Sequence, residues 1–281
     1  MSNTYCGNNA TIHTNKGQPR QNIIPLTEIK DATKNLQKGG TMKVATFDSK
    51  LEIFHTLQGE GRNSGMPAIF LRLSNCNLFC RFCDAYYTFN WEGTKWEQDF
   101  PKVKKGDHQV NMMSEDIMIE FKKYDCKNIV LTGGEPLLQQ KELVKLLKGL
   151  KEEQYHVEIE TNGTMVPTEE FFELIDQINC SPKLENSNNP KSLREREKAL
   201  TALSASPKTD FKFVIANSKD LEEVLYLIEK YKMKNIWLMP MGIDSETLNK
   251  TAKWLAEVCK EKGFRLTGRM QIDLYGNKPG T

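Results

Sequence analysis

Short apolar runs alternate with amphipathic segments along the chain from Lys43 onward. The amphipathic segments repeat apolar residues at helical spacing, as Leu143, Leu146, Leu147 and Leu150 do. The predicted strands are Ala68–Leu73, Asn128–Thr132, His156–Thr161, Phe211–Ile215 and Asn235–Pro240, and the predicted helices are Leu137–Glu153, Phe171–Ile178, Lys219–Tyr231 and Glu246–Lys262. Strands that alternate with helices of this length indicate βαβ units, so we expect an α/β fold with a mostly parallel sheet.

The polar motifs of the chain lie where these predicted strands end. They are the cysteine cluster that begins at Cys76, Gly133–Pro136, Glu160–Gly163, Ser181–Lys183 and Met239-Pro240. The carboxyl ends of parallel strands meet at one edge of a sheet, where functional groups collect. We therefore expect a single site at this edge.

Three segments interrupt the alternation of strands and helices. Residues 1–41 are rich in Asn, Thr, Lys and Gly, so we expect a flexible N-terminal extension with a short helix near Leu26–Leu36, followed by one domain over residues 42–281. Residues 84–113 and 186–206 are expected to be insertions into this domain. The first insertion lies beside the cysteines and is a candidate lid, whereas the second is expected to form an exposed surface helix.

Composition narrows the function classes. The 281 residues include 39 basic and 37 acidic side chains, a net charge of +2, which gives no electrostatic reason to expect a nucleic-acid partner. No apolar run is long enough for a membrane helix or a signal peptide, so we expect a cytoplasmic protein. The seven cysteines fit a metal or redox site in a reducing compartment better than a set of disulfides, with Cys126, Cys180 and Cys259 as core residues.

The strongest chemical signal is the motif Cys76-x3-Cys80-x2-Cys83, directly after a predicted strand. Three thiolates in one loop can hold three irons of a [4Fe–4S] cluster and leave the fourth iron without a protein ligand. That iron can bind a substrate or cofactor, as the open position of a catalytic zinc site does. A zinc site and a purely electron-transferring cluster are the alternatives, and each would need a fourth ligand from elsewhere in the chain.

This motif, with Phe82 before its last cysteine, resembles the signature of the radical S-adenosylmethionine (SAM) enzymes. The segment Gly133–Pro136 resembles the turn with which these enzymes bind the amino group of SAM, since glycines permit close approach and backbone carbonyls accept hydrogen bonds from an ammonium group. The resemblance implies an incomplete, reduced (β/α) barrel, a [4Fe–4S] cluster and SAM bound to the open iron. It also implies that the reduced cluster cleaves SAM to a 5′-deoxyadenosyl radical, so that no side chain is itself catalytic.

Further motifs resemble those of the 7-carboxy-7-deazaguanine synthase family. They are Phe54–Gly61, Gly65–Leu73, Cys83-Asp84 followed by Tyr87-Thr88, Glu160–Thr164, Ser181–Lys183 and Tyr275–Thr281. The similarity covers the chain from about Leu51 to its last residue. It implies the ring contraction of 6-carboxy-5,6,7,8-tetrahydropterin to 7-carboxy-7-deazaguanine with loss of ammonia, a step toward queuosine and related deazapurine bases.

The resemblance also implies roles for individual residues. Arg72 would hold the substrate carboxylate through its two-pronged donor geometry, and Glu60 would bind the guanidine-like edge of the pterin. The cluster ligands would be Cys76, Cys80 and Cys83, and the SAM contacts would be Phe82, Cys83, Asp84, Gly134, Glu135, Ser181, Pro182 and Lys183. The other pterin contacts would be Leu57, Gln58, Gly59, Thr132, Gln271 and Thr281. Loop capping is the alternative role for Glu60 and Asp84.

Three positions depart from the family pattern. Ala85 stands where the family has a Thr or Ser whose hydroxyl binds Mg²⁺. Alanine has no side-chain oxygen, so we expect a weakened magnesium dependence, with water or backbone carbonyls as the remaining ligands. Gln271 stands where many members have histidine, and Pro279 stands where arginine is common. Glutamine donates and accepts hydrogen bonds but does not titrate near neutral pH.

The resemblance implies a homodimer and a flavodoxin-like or other electron donor. Lys102–Lys105 and Lys122-Lys123 are expected to be solvated surface, and docking of an acidic donor is their alternative role. Two other functions stay open. One is a different radical SAM activity, such as a glycyl-radical activase, which has no reason to carry Leu57–Gly61 together with Arg72. The other is a non-catalytic iron–sulfur or zinc protein.

Overall fold

The computed structural model describes residues 40–96 and 99–281. The strands are β1 Met42–Phe47, β2 Lys50–Leu51, β3 Ile53–Leu57, β4 Pro67–Leu73, β5 Gln109–Met112, β6 Asn128–Gly133, β7 His156–Thr161, β8 Gln177–Cys180, β9 Thr209–Ile215, β10 Ile236–Pro240 and β11 Arg265–Leu266. The α-helices are α1 Ser114–Phe121, α2 Gln140–Glu152, α3 Glu169–Leu174, α4 Lys191–Arg194, α5 Glu197–Ala205, α6 Ser218–Tyr231, α7 Ser245–Lys262 and α8 Met270–Tyr275. The helix predicted near Leu26–Leu36 lies outside the described residues. No helix of the described part is long and apolar enough to cross a membrane.

The strands form one open sheet in the order β11-β10-β9-β8-β7-β6-β4-β1-β2, with β3 paired to β4 and β5 paired to β1. From β4 through β6 to β11 all neighbours are parallel, whereas β1, β2, β3 and β5 pair antiparallel. The two ends of this order do not pair, so the barrel stays open. The predicted α/β fold with a mostly parallel, incomplete barrel is confirmed.

Helix α2 shows why the predicted pattern folds as it does. Its leucines Leu143, Leu146, Leu147 and Leu150 are fully buried against the sheet, as their helical spacing predicts. The predicted helix begins later than expected, because Pro136–Gln139 forms a 3₁₀ turn before α2. The three cysteines predicted to lie in the core, Cys126, Cys180 and Cys259, are all buried.

The prediction of a helix over Phe171–Ile178 was wrong in its second half. Helix α3 begins after Thr168, whose hydroxyl caps the Phe171 amide, and it ends at Leu174. The segment from Gln177 onward is β8, and all of its residues are buried. Its polar side chains face the polar barrel interior, so the strand lacks the apolar run that marks a buried strand in a sequence.

The helix expected within residues 186–206 forms as two short helices, of which the second is more buried than expected. Helix α5 buries Ala199, Leu200 and Leu203, and it connects β8 to β9 as a crossover helix of a βαβ unit does. Residues 84–113 contain β5, which pairs with β1. Other parts of that segment lie over the site described below.

The interior of the open barrel is polar, and this polar layer holds the loop before β4 in place. Asp210 on β9 accepts a salt bridge from Arg62, at 2.5 Å between Nη2 and Oδ1. Glu158 on β7 accepts a hydrogen bond from Asn63, at 2.9 Å between Nδ2 and Oε1. The loop that carries the predicted pterin contacts is therefore fixed to the central strands by its own polar side chains.

Candidate active site

A cavity of about 820 Å³ opens at the carboxyl ends of the parallel strands. All predicted site residues except Glu135 and Pro182 line it, namely Leu57, Gln58, Gly59, Glu60, Arg72, Cys76, Cys80, Phe82, Cys83, Asp84, Ala85, Thr132, Gly134, Ser181, Lys183, Gln271 and Thr281. Aromatic residues of the 84–113 segment line it as well, among them Tyr86 and Phe100, whose rings stack 4.6 Å apart. Segments far apart in the sequence thus converge on one cavity.

The three clustered cysteines lie in the loop after β4, with amide donors beside two of them. The Asn162 side chain donates to Cys76 Sγ at 3.8 Å, and the Asn189 side chain donates to Cys80 Sγ at 3.3 Å. Burial raises the pKa of the Cys76 thiol to about 12, and it also raises the pKa values of Cys80 and Cys83. Cluster-bound sulfurs accept such hydrogen bonds, so this donor set fits a [4Fe–4S] cluster held by three thiolates.

The glycines after β6 let two backbone segments touch. A Cβ at Gly133, where φ is +145°, would lie 2.1 Å from the Leu73 carbonyl oxygen, and one at Gly134 would lie 2.1 Å from the Asn75 carbonyl oxygen. The Gly134 amide donates to Leu73, and the Glu135 amide donates to Asn75. The turn is thereby fastened to the backbone that enters the cysteine loop.

Glu135 supports this turn from outside the cavity. Its fully buried carboxylate accepts hydrogen bonds from the Leu137 amide at 3.0 Å, the Thr161 hydroxyl at 2.8 Å and the Asn162 amide at 2.7 Å. Burial raises the pKa of Glu135, although these donors oppose the rise. Because Asn162 also donates to Cys76, Glu135 acts on the cysteine loop through a neighbour.

Glu60 lies at the centre of a buried charge network. Lys212 Nζ is 2.6 Å from its Oε2 atom, and Arg269 Nε is 3.2 Å from its Oε1 atom. Burial alone would raise the pKa of Glu60, but the charges of Lys212 and Arg269 lower it to about 2. Lys212 Nζ is also 2.9 Å from Oε2 of Glu160, whose pKa is raised by burial despite that contact. Glu60 is therefore ionised at any physiological pH.

The Gln271 side chain packs directly against Gly59. A Cβ at Gly59 would lie 1.9 Å from Gln271 Oε1, so this contact requires glycine. The Gln271 amide donates to Glu60 Oε1 at 2.8 Å. Its own Oε1 atom is buried and accepts no hydrogen bond from the described residues. The Gln271 side chain thus lies between Gly59 and Glu60.

Arg72 is oriented by two residues of the barrel wall. Its Nε atom donates to Glu52 Oε2 at 3.0 Å, and the Tyr87 hydroxyl donates to the same oxygen at 2.8 Å. The Phe54 ring lies 6.0 Å from the guanidinium carbon. Because Glu52 takes the Nε donor, the terminal nitrogens of Arg72 can pair with a ligand carboxylate.

Asp84 and Ala85 have different surroundings although they are adjacent. The Asp84 carboxylate pairs with Arg269 Nη2, whereas the Ala85 methyl group is buried in an apolar cluster with Ala45 and Tyr87. Within residues 40–96 and 99–281, no three His, Cys, Asp or Glu side chains lie together in a way that would hold a single metal ion, as distinct from a cluster of several irons.

Lys183 brings a positive charge to the cysteine side of the cavity. Its Nζ atom donates to the Ser181 hydroxyl at 2.9 Å, and both side chains line the cavity, whereas Pro182 between them does not. Although burial dominates and raises the pKa values of Cys76 and Cys80, the Lys183 charge opposes that rise.

Sequence reasoning missed Lys212, Arg269, Glu52 and Asn189. Lys212 carried one signal, a charged residue inside an apolar strand, but strand alternation suggests an exposed side chain rather than a buried ion pair. Glu52, Arg269 and Asn189 carried no signal, because their partners lie far away in the sequence.

Comparisons with known proteins define the class. The chain matches the family model of the radical SAM superfamily over residues 72–258, and it belongs to that superfamily. The open barrel agrees with the crystal structure of QueE from Escherichia coli, with a TM-score of 0.61, 24% sequence identity, and coverage of 87% of this chain and 98% of that one. That likeness supports the fold.

The sequence relatives narrow the class further. The chain is 34% identical to the 7-carboxy-7-deazaguanine synthase of Halobacterium salinarum over 254 residues, 82% of this chain and 91% of that protein. It is also 34% identical to the enzyme of the same name from Pyrobaculum aerophilum over 237 residues, 82% of this chain and 96% of that protein. The chain belongs to the 7-carboxy-7-deazaguanine synthase family, and the resemblance given by its motifs is confirmed.

Proposed function

We propose that this chain converts 6-carboxy-5,6,7,8-tetrahydropterin to 7-carboxy-7-deazaguanine with loss of ammonia. The observation that carries the proposal is the convergence of the three cysteines, the Leu57–Gly61 loop and Arg72 on one cavity. A glycyl-radical activase has no need for the last two elements. When bound, the [4Fe–4S] cluster and SAM supply the 5′-deoxyadenosyl radical that takes hydrogen from carbon 6 of the substrate. The side chains of this protein bind and orient the reactants.

The cysteine side of the cavity is the cofactor side. The cysteines are the cluster ligands, and Asn162 and Asn189 stabilise their thiolates by donating hydrogen bonds. The proposed SAM contacts are Phe82, Cys83, Asp84, Gly134, Ser181 and Lys183, all in the cavity wall. Glu135 and Pro182, which do not line the cavity, act only by positioning their neighbours.

Arg72, which also lines the cavity, holds the substrate carboxylate. Glu52 and Tyr87 fix the guanidinium through its Nε atom, so its terminal nitrogens are oriented before the substrate arrives. A planar guanidinium can make two parallel hydrogen bonds to a carboxylate, which a lysine cannot.

Glu60 and Gln271 bind the polar edge of the pterin. Glu60 stays ionised because of Lys212 and Arg269, so it accepts hydrogen bonds from the guanidine-like edge across the working pH range. The Gln271 side chain donates to Glu60 and holds that carboxylate in place. Leu57, Gln58, Gly59, Thr132 and Thr281 complete this side of the cavity.

The electron donor and the oligomeric state are further parts of the proposal. Lys122 is paired with Glu153 at 2.7 Å and Lys123 with Glu120 at 2.6 Å, so their charges are already balanced. This favours Lys102–Lys105 as the docking face for an acidic, flavodoxin-like donor. We also propose a homodimer, which light scattering tests, and a cytoplasmic location, which the free cysteines support.

Magnesium does not belong to the proposed site. Ala85 offers no side-chain oxygen, and its methyl group packs among apolar side chains. We therefore expect turnover without a tight magnesium requirement.

The test is anaerobic incubation of the reconstituted protein with SAM, dithionite and carboxytetrahydropterin, followed by mass detection of the deazapurine. The Cys80→Ala variant should lose product, whereas Cys259→Ala, a buried cysteine outside the cavity, should retain it.

Two other outcomes of this experiment would support the alternative functions. Formation of 5′-deoxyadenosine without deazapurine would indicate a different radical SAM activity. A protein that binds zinc and shows no spectral change with SAM would indicate a non-catalytic metal protein.

A further inference from the structure

The carboxylates of the cavity already have partners within the protein. Four carboxylate side chains of the described residues line the cavity, those of Glu60, Asp84, Glu160 and Asp244. Glu60 and Glu160 share the Lys212 ammonium group. One buried ammonium group thus contacts both of these carboxylates.

The other two cavity carboxylates are engaged as well. Asp84 pairs with Arg269. Asp244 accepts hydrogen bonds from the amide and the hydroxyl of Thr247, both at 2.8 Å, at the start of α7. Each of these four carboxylates therefore already contacts a donor of the protein, which lowers its attraction for a divalent cation such as Mg²⁺.

Ala85, the residue next to Asp84, has no side-chain atom that could bind a cation. The Ala85 side chain is 5% exposed and packs against Ala45 and Tyr87, with Phe47 beside them. The side chains present therefore do not fit the magnesium site of the family.

Arg269 occupies a central place among these groups. Its Nε atom lies 3.2 Å from Glu60 Oε1, its Nη1 atom lies 2.8 Å from the Gly242 carbonyl oxygen, and its Nη2 atom pairs with Asp84. Its side chain is only 12% exposed. One guanidinium thus joins the loop before β4, the loop that contains the cysteines and the loop after β10.

We infer that Arg269 is a fixed positive charge between Glu60 and Asp84 and that the enzyme works without a bound divalent cation. The inference rests on the proposed function, because it concerns the cavity in which the pterin would react. A guanidinium is always charged and is tied to the chain, so no ion has to bind before the reactants do. Arg269 is a positioning residue that holds Asp84 on the SAM side and Glu60 on the pterin side.

The test compares cation binding and turnover in the reconstituted protein. Mn²⁺ serves as the probe for a divalent-cation site, and its binding is followed by electron paramagnetic resonance with SAM present. The wild-type protein should show no saturable Mn²⁺ site in the cavity, and its turnover should be the same in EDTA as in excess Mg²⁺. A saturable Mn²⁺ site whose removal abolishes turnover would overturn the inference.

Variants test the part played by Arg269. Arg269→Gln should lower kcat/KM by about tenfold or more, with Arg269→Lys less affected because it keeps the charge. Arg269→Gln combined with Ala85→Thr should gain Mn²⁺ binding and a turnover that rises with Mg²⁺. A folded Arg269→Gln variant with unchanged kinetics would contradict the inference, and thermal melting shows which variants fold.

The two proposals can fail separately. Mn²⁺ binding is measured without product formation, so it tests the cation inference even if no deazapurine forms. Absence of deazapurine with intact 5′-deoxyadenosine formation would refute the proposed substrate alone.

Discussion

Lys212 Nζ lies 2.6 Å from Oε2 of Glu60, although 152 residues separate the two in the sequence. The contact joins β9 to the loop before β4, and the same ammonium group also reaches Glu160 at 2.9 Å. One buried cation therefore contacts two carboxylates. Removing one partner of a buried charge group leaves the others without compensation, which costs far more than losing an exposed pair.

The Lys212→Met variant should be less stable than the wild type by about 3–5 kcal/mol, because Glu60 and Glu160 would remain buried without their cation. The measurement is urea unfolding followed by circular dichroism. Lys219→Met is the matched control, since Lys219 pairs with Glu185 at 2.8 Å but its side chain is 75% exposed. Equal losses of unfolding free energy in Lys212→Met and Lys219→Met would show that burial does not strengthen the contribution of the Lys212 ion pairs.

Glu60 should make folding stability depend on pH in a defined direction. Its pKa in the folded protein is lowered from 4.5 to about 2. The stabilisation it contributes is complete above about pH 4.5 and is lost as pH falls toward about 2, because the paired, ionised form is then protonated. This shift corresponds to a contribution of about 3 kcal/mol.

The measurement compares unfolding free energies of wild type and Glu60→Gln between pH 7 and pH 3. The gap between them should narrow as the pH falls. The exposed Glu229→Gln variant is the control and should run parallel to wild type. A gap that stays constant or widens on acidification would show that Glu60 is not held in its ionised form.

The parts of the fold that could be predicted are those with local causes. The leucine spacing of α2 and the apolar run of β6 depend on neighbours in the sequence, and both elements form, although α2 begins three residues later than predicted. Strand β8 and the crossover role of helix α5 could not be predicted. The strand buries polar groups in the barrel interior, and the helix is recognisable as a crossover only when β8 is known.

The candidate active site also has a part that could be predicted from local sequence and a part that could not. Cys76, Cys80 and Cys83 are close in the sequence, so their spacing alone indicated a cluster site. The partners that set the charge state of Glu60 come from β9 and from the segment before α8, and only the folded chain brings them together. Ion pairs between residues far apart in the sequence form no spacing pattern from which they could be predicted.

Tyr87 should affect substrate binding without touching the chemistry. In Tyr87→Phe, Glu52 loses one donor and Arg72 is oriented less firmly, so KM for the pterin should rise about fivefold, as loss of one hydrogen bond implies, with kcat nearly unchanged. Steady-state kinetics of deazapurine formation measures both constants. Tyr226→Phe, at a tyrosine that is 43% exposed and distant from the cavity lining, is the control.

Arg72→Lys extends this test. A lysine cannot make the two-pronged pairing, so KM should rise further than in Tyr87→Phe. An Arg72→Lys variant with a wild-type KM would exclude Arg72 as the carboxylate ligand.

Glu135 should prove structural, despite its place in a motif that resembles a SAM-binding turn. Its Oε1 atom accepts from the Leu137 amide and the Thr161 hydroxyl, and its Oε2 atom accepts from the Asn162 amide. In Glu135→Gln, an NH₂ group would face one of these donors, so the free energy of unfolding should fall by about 1–3 kcal/mol. Urea unfolding measures the loss, with the exposed Glu152→Gln as the control. If Glu135 instead bound SAM directly, Glu135→Gln would weaken SAM binding. The free energy of unfolding of the SAM-free protein would then change no more than it does in Glu152→Gln.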